Sequence, residues 1–355
     1  MVQDHRDGGR KDDIRVVVIA GGGGGVFLID PVPDLVSGNA VKTSDQLQNM
    51  VSFAKVVHGV AADGVTQLVI RIDAGSSASG HQFAVTLSDD QGLSGSSIIP
   101  NEDGALGLPG GTSFSSGQVI VTSGNADAKG LSHAFAVYRA PLDFARPSGG
   151  GFKKGVCQGV TRTDDLMACR SVSIQVQDIT ANTDFGTFPI IITRPMVSAI
   201  HGLWSNWIKW KNFSPLISGN SSDSRFFVHR ANYDYPVVIT ASTPTYSSKQ
   251  LQRASANSLG FQYNAAGVLT QINMYLAKFK NRGNPPSIPV AAVQADVVAH
   301  SMGGDIARTI ASLTQFLSDP NNPNFGQGSI HKVITIDSPH LGSPLATKLL
   351  DANNA

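Results

Sequence analysis

The sequence predicts two consecutive folds, an antiparallel β-sandwich followed by an α/β unit with a mostly parallel sheet. Between Val65 and Ile179 apolar residues alternate with period two, at Leu68, Ile70 and Ile72, at Phe83, Val85 and Leu87, at Phe135 and Val137, and at Val172, Ile174 and Val176. Such alternation marks half-buried strands. The stretches between them, DAGSSASG, LPGGTSFSSG and TSGNADAKG, carry turn chemistry rather than helix chemistry. Past FPIIITRPMVSAIHGLW strand-like and helix-like segments alternate instead, the order of a parallel sheet covered on both faces. The boundaries read from this rhythm are a leader or linker over 1–55, possessing a signal-like apolar stretch, a sandwich over 56–185 and an α/β domain over 186–355 that is incomplete at its C-terminal end.

Composition agrees with a globular chain of two domains. At 355 residues the length exceeds that of one small domain. Lys and Arg total 27 against 26 Asp and Glu, with no run of like charge. The overall balance therefore points neither to a nucleic-acid groove nor to an anionic membrane surface. Gly is abundant at 37 residues and aromatics are 7%, which suits many turns and short strands better than a helical bundle.

The N-terminus MVQDHRDGGRKDDIR is too mixed in charge for a signal-peptide start, yet VVVIAGGGGGVFLI behind it has the character of a diluted apolar h-region. A start codon misassigned upstream of a true signal gives this pattern, so a secreted or periplasmic location is favoured over a cytoplasmic one. No stretch reaches the ~18 apolar residues of a membrane span. Gly21 to Gly25 lack the third Gly of a dinucleotide fingerprint, since Val26 displaces it, and lack the Lys-Ser/Thr pair of a phosphate loop. They read as a low-complexity spacer.

Cys157 and Cys169 are the two cysteines. Closing the loop between them is worth roughly 3 kcal/mol in the chain-entropy account; two buried free thiols are the other reading. The polar, Gly-rich surroundings favour the disulfide. At the start of the β-rich region, AADGVTQLVIRI resembles an opening strand of bacterial immunoglobulin-like domains, in which an Ala-Asp-Gly turn leads into an alternating strand.

In the second half, Val197 to Ile200 is a short apolar strand and RFFVHRANY a second. Ala265, Val268, Leu269, Ile272, Leu276 and Phe279 fall on one face of a helix. A third strand, ADVVAH, leads into a second helix with Ile306, Ile310, Leu313 and Leu317 on one face, and KVITID is a fourth strand.

Ser301 lies between that third strand and second helix, in AHSMGG. This is a nucleophile elbow, G-x-S-x-G, with Ala299 in place of the first Gly. A tight turn holds such a serine in a strained conformation, and bulk two positions to either side collides with the neighbouring strand and helix. The helix that starts at once aims its N-terminal N–H groups and dipole at the reaction centre. The competing reading is a surface turn with a capping serine.

Three motifs in order, HGLW at the end of an apolar strand, AHSMGG, and VITIDSPHLGSPLA, resemble the α/β-hydrolase superfamily, in particular bacterial lipases and esterases and the related deacylases of lipid anchors. The resemblance spans Thr193 to about Leu349. It implies Ser301 as nucleophile and the backbone N–H groups of Leu203 and Met302 as the oxyanion hole. It also implies supporting roles for His201, which would fix the oxyanion loop, and for Gly202, His300 and Gly303. In this fold the acid and then the base follow the nucleophile, yet 54 residues follow Ser301. Asp337 ends a strand and is the candidate acid; a turn residue orienting the DSPHLGSP loop is its other reading. His340, three residues on, is poorly spaced to serve as its base, and His331, His229 and the remaining histidines have no motif behind them. The expectation is therefore a longer hydrolase of which this chain is the front part, with a histidine beyond Ala355.

Trp204, Trp207 and Trp210 recur every third residue after the oxyanion loop. They line an acyl-binding cleft, form a patch for a lipid interface, or simply pack a helix start. No metal or organic cofactor is implied, because no His/Cys/Asp cluster has ligand spacing. The expected function is a serine carboxylic-ester hydrolase acting on an ester or lipid substrate through an acyl-enzyme, with no nucleic-acid partner and no integral membrane segment. The alternative is an exported binding or adhesion protein carrying an inactive hydrolase domain.

Overall fold

The computed structural model describes residues 24–49, 55–89, 97–115, 117–144, 169–218, 221–222, 226–233, 260–282, 289–319 and 322–353. The first half is built from β1 (Gly25–Asp30), β2 (Val36–Ser37), β3 (Ala40–Val41), β4 (Lys55–Val56), β5 (Gly59–Ala61), β6 (Gln67–Gly75) and β7 (Gln82–Asp89). It continues with β8 (Ala105–Gly107), β9 (Phe114–Ser115), β10 (Gln118–Thr122), β11 (Leu131–Arg139), β12 (Cys169–Asp178) and β13 (Thr183–Thr193). The second half adds β14 (Val197–Ile200), β15 (Ile217–Ser218), β16 (Ser221–Ser222), β17 (Val228–Arg230), β18 (Val290–Ala291), β19 (Ala295–His300) and β20 (Ile330–Ile336). The helices are α1 (Ser44–Gln48), α2 (Pro100–Asp103), α3 (Phe261–Arg282), α4 (Met302–Ile310) and α5 (Pro344–Asn353).

Two six-stranded sheets, ordered β4-β1-β6-β11-β8-β9 and β10-β7-β12-β13-β5-β18, pack face to face. The alternating residues that predict the strands fill the space between them: Leu68, Ile70 and Ile72 from one sheet meet Phe83, Val85, Val172, Ile174 and Ile190 from the other, all fully buried. Pairing is antiparallel apart from β5, which runs parallel to both β13 and β18.

Both predicted boundaries move. Residues 25–30, assigned to the leader or linker, form β1, paired antiparallel to β6 from Gly25↔Asp73 to Ile29↔Val69. The strand is buried along nearly its whole length, so its continuous apolar run has the look of an h-region. The sandwich extends to Thr193 through β13, and β18, from the α/β half, completes its second sheet. Cys169 opens β12 and is disulfide-bonded; Cys157 lies outside the described residues.

The two halves are tied by polar contacts as well as by β18. The buried carboxylate of Asp63, in the Ala-Asp-Gly turn, accepts the N–H groups of Val65 and Thr66 and the Thr66 hydroxyl within its own turn. Its Oδ2 also accepts the N–H groups of Val293 (3.1 Å) and Gln294 (3.2 Å) from the α/β half. Asp30 at the end of β1 pairs with Lys280 of α3 at 2.8 Å. Burial pushes the Asp30 carboxyl up from its ordinary value, and the Lys280 ammonium opposes that.

The α/β half centres on a four-stranded sheet, β17-β14-β19-β20, parallel throughout. The predicted apolar face of α3 is buried at Ala265, Val268, Leu269, Ile272, Leu276 and Phe279. The second predicted helix is shorter than its pattern: α4 ends at Ile310, Leu313 is half-buried and Leu317 is 54% exposed. The hydroxyls of Thr309 and Ser312 bond to carbonyls of the preceding turn, a local competitor of regular helix. β20 is an edge strand with Val333 and Ile334 exposed on opposite faces. Among the described residues no helix is long and apolar enough to cross a membrane.

Candidate active site

β19 delivers the chain, through the fully buried Ala299, to Ser301. That serine has φ 53° and ψ −129° and stands as the N-cap of α4. A non-glycine residue in this region is strained, and such strain persists where the surroundings over-determine it. Here two backbone hydrogen bonds do so: Ser301 N–H donates to the Ile336 carbonyl of β20 (2.9 Å), and the Ser301 carbonyl accepts Gly304 N–H (3.0 Å). The small residues have a steric cause. A Cβ on Gly303 would lie 2.5 Å from the Ile200 carbonyl oxygen and 2.7 Å from that of His201. A Cβ on Gly304 would run into Ser338.

β14 lies beside β19 with Ile200 opposite Ala299, so the turn that leaves β14 emerges next to Ser301. A Cβ on Gly202 would be 2.7 Å from Ser301 Cβ and 3.1 Å from its Oγ. His201 is buried beneath the turn, its Nδ1 3.0 Å from the Gly202 carbonyl. Its ring stacks on Tyr233 with centroids 4.0 Å apart and planes within 3°, and the Tyr233 hydroxyl donates to the His201 carbonyl. Leu203 follows in the turn and packs against the α/β core. Met302 is the first residue of α4, so its N–H has no acceptor within the helix. Gly202, Leu203, Ser301, Met302 and Gly303 are thus brought together, with His201 supporting them from below. Nothing in the sequence singles out Tyr233 beyond its being an aromatic residue just past β17.

The acid and base are a different matter. The register of β20 places Ile336 opposite His300, so Asp337 begins the loop beside the elbow, exposed and with φ 50°. His340, in the loop after β20, is engaged by α4 and β20, with Nδ1 3.4 Å from Asp305 and Nε2 3.3 Å from Thr335 Oγ1. His81 pairs with Asp178, His133 with Asp73, His331 with Asp296 and His229 with Ser198. His58 belongs to the sandwich side, where its N–H meets the Pro289 carbonyl, and His5 lies outside the described residues. His300 faces the cleft described next. Among the described residues, then, no histidine is hydrogen-bonded to Ser301 Oγ or to Asp337.

A cleft of about 440 Å³ opens beside the elbow, walled by Trp210, Phe213 and Ile336, with His201, Ser205, Lys209, Asn212 and His300, the residue before Ser301, completing it. Trp210 is buried and meets Phe213 edge-on at 5.2 Å. Of the three tryptophans, Trp210 lines the cleft and Trp204 and Trp207 do not. Trp207 lies under the Arg230 guanidinium at 4.7 Å, and Trp204, at a positive φ of 54°, is 63% exposed.

A parallel sheet, a strained serine between strand and helix, and a glycine turn packed against that serine have the construction of α/β-hydrolases. Residues 271–353 match the PGAP1-like alpha/beta domain, a lipase/esterase-like α/β-hydrolase family. No curated protein matches the chain. Among solved structures, a family 123 glycoside hydrolase from Clostridium perfringens aligns at 10% identity over 54% of this chain, with a TM-score of 0.23. The alignment spans 32% of that protein's length, and a likeness of this size carries no argument about fold or function.

Proposed function

We propose that the chain is a serine carboxylic-ester hydrolase with Ser301 as nucleophile, built on an α/β-hydrolase unit behind an immunoglobulin-like sandwich. Ser301 Oγ adds to the ester carbonyl carbon as its proton passes to a general base. The tetrahedral oxyanion sits between the N–H groups of Leu203 and Met302, the base protonates the departing alkoxide, and an acyl-enzyme remains. Water then repeats the sequence, releasing the acid and regenerating the hydroxyl. In this reading Asp337 is the carboxylate that orients the base, and the base is none of the described histidines. The apolar walls at Trp210, Phe213 and Ile336 suit the acyl part of a lipid-like ester.

The observation that carries this reading is the φ 53°, ψ −129° conformation of Ser301 at the head of α4, with Gly202 pressed against it. The test is turnover of p-nitrophenyl esters together with covalent labelling by a fluorophosphonate, read by intact mass. Ser301→Ala should abolish both; hydrolysis that survives the substitution overturns the assignment. A second reading, an exported binding protein with an inactive hydrolase unit, is favoured by the histidine placements above. It predicts neither turnover nor labelling in the unsubstituted chain.

A further inference from the structure

The balanced charge of the whole chain conceals a local imbalance. From His201 to Ser218 the sequence HGLWSNWIKWKNFSPLIS contains two lysines, three tryptophans and no acidic residue. Within it Trp204 is 63% and Ile208 46% exposed, and Lys209 and Lys211 are exposed beside them. Arg230 adds a third cation over the Trp207 ring. Trp204 holds this outward position at φ 54°, a backbone region that a bulky residue rarely adopts. A strained backbone that presents an indole to water points to a role for the indole outside the protein core. Lys209 and Trp210 also line the cleft beside the elbow, so the exposed apolar tips and the cleft wall belong to one segment.

We propose that this segment docks the protein on an anionic phospholipid surface. Trp204 and Ile208 seat at the boundary between headgroups and acyl chains, and Lys209 and Lys211 lie over the anionic headgroups. Indole and aliphatic tips flanked by cations match that interface in both polarity and charge. Docking there turns the cleft toward the bilayer. The inference rests on the strain, exposure and charge of this segment, and it stands whether or not Ser301 hydrolyses esters.

The experiment is co-sedimentation of the full chain carrying Ser301→Ala, so that no turnover alters the lipid. It compares vesicles of phosphatidylcholine alone with vesicles of phosphatidylcholine and phosphatidylglycerol. Two lysines at about 1 kcal/mol each give an expected preference of about 30-fold for the anionic vesicles, declining as salt is raised. Trp204→Ala with Ile208→Ser should weaken binding by about tenfold or more at an unchanged melting temperature. Lys209→Gln with Lys211→Gln should remove most of the anionic preference, leaving the part due to Arg230. Absence of binding to both vesicle types overturns the proposal, as does binding unaffected by the Trp204 and Ile208 substitutions. Equal, salt-insensitive binding to the two vesicles overturns the assignment to an anionic surface.

Discussion

Gly202 and Ser301 pack so closely that a single added methyl on the glycine would stand 2.7 Å from the serine Cβ and 3.1 Å from its Oγ. They lie 99 positions apart in sequence and meet because β14 and β19 run side by side. The contact puts the first turn after β14 against the serine, where a carbonyl oxygen undergoing attack would sit.

Gly202→Ala should therefore disable Ser301 while leaving the fold in place. The added Cβ forces the turn or the serine to move, which displaces the Leu203 N–H from its proposed acceptor. A loss of about 10²-fold or more in the rate of fluorophosphonate labelling is expected, the scale of losing one oxyanion donor. Labelling kinetics and a thermal melt check this together. Normal labelling of a folded Gly202→Ala protein would show that the turn is not part of the reaction centre.

Asp63→Ala should loosen the joint between sandwich and α/β half. One buried carboxylate accepts four backbone N–H groups, those of Val65, Thr66, Val293 and Gln294. Removing it leaves these donors unsatisfied in a dry site, at a cost of about 3 kcal/mol or more. Asp63→Asn, which retains one acceptor oxygen, should cost less. Urea unfolding of the three proteins tests the order.

Reading these features from sequence succeeds where the cause is local. The strand pattern at Leu68, Ile70 and Ile72 is legible because an alternating strand needs only its own residues to declare a buried face, and all three are fully buried. The elbow is legible for the same reason, since the steric demand falls within two residues of Ser301. The oxyanion turn was placed by a family resemblance, and the register of β14 and β19 supplies the physical reason for it. The rest depends on partners distant in sequence. β1 is covered on both faces, Val26 and Leu28 in the core between the sheets and Phe27 and Ile29 in a second apolar cluster, so its apolar run has no alternation to distinguish it from a leader. β18 is two residues long and owes its existence to β5. Tyr233 supports His201 from 32 positions away, and nothing near either residue in the sequence links them. Leu313 and Leu317 continue the helical spacing of α4, but hydroxyl groups bonding to backbone carbonyls accompany the end of the helix before them.

The α/β half should also carry an acid-sensitive group away from the elbow. His229 of β17 is 3% exposed, lies 3.2 Å from Ser198 Oγ and stacks on Tyr275. Burial is the main cause that lowers its pKa from 6.5 to about 4; the nearby Lys278 ammonium adds to the effect and Gln271 opposes it. Between these values the unfolded chain takes up a proton that the folded chain refuses, so stability falls as pH drops from about 6.5 toward 4. The full window is worth about 3 kcal/mol at 1.36 kcal/mol per pH unit. Asp30 acts in the opposite sense, because its raised pKa lets the folded state bind a proton more readily than the unfolded one. His58, whose pKa burial also lowers, acts in the same sense as His229; the wild-type curve therefore mixes these groups, and the difference between wild type and His229→Gln isolates His229. Urea unfolding at neutral and mildly acidic pH should show a flatter pH dependence in the variant. Parallel curves for the two proteins would mean that His229 is protonated in the folded state as readily as in the unfolded chain.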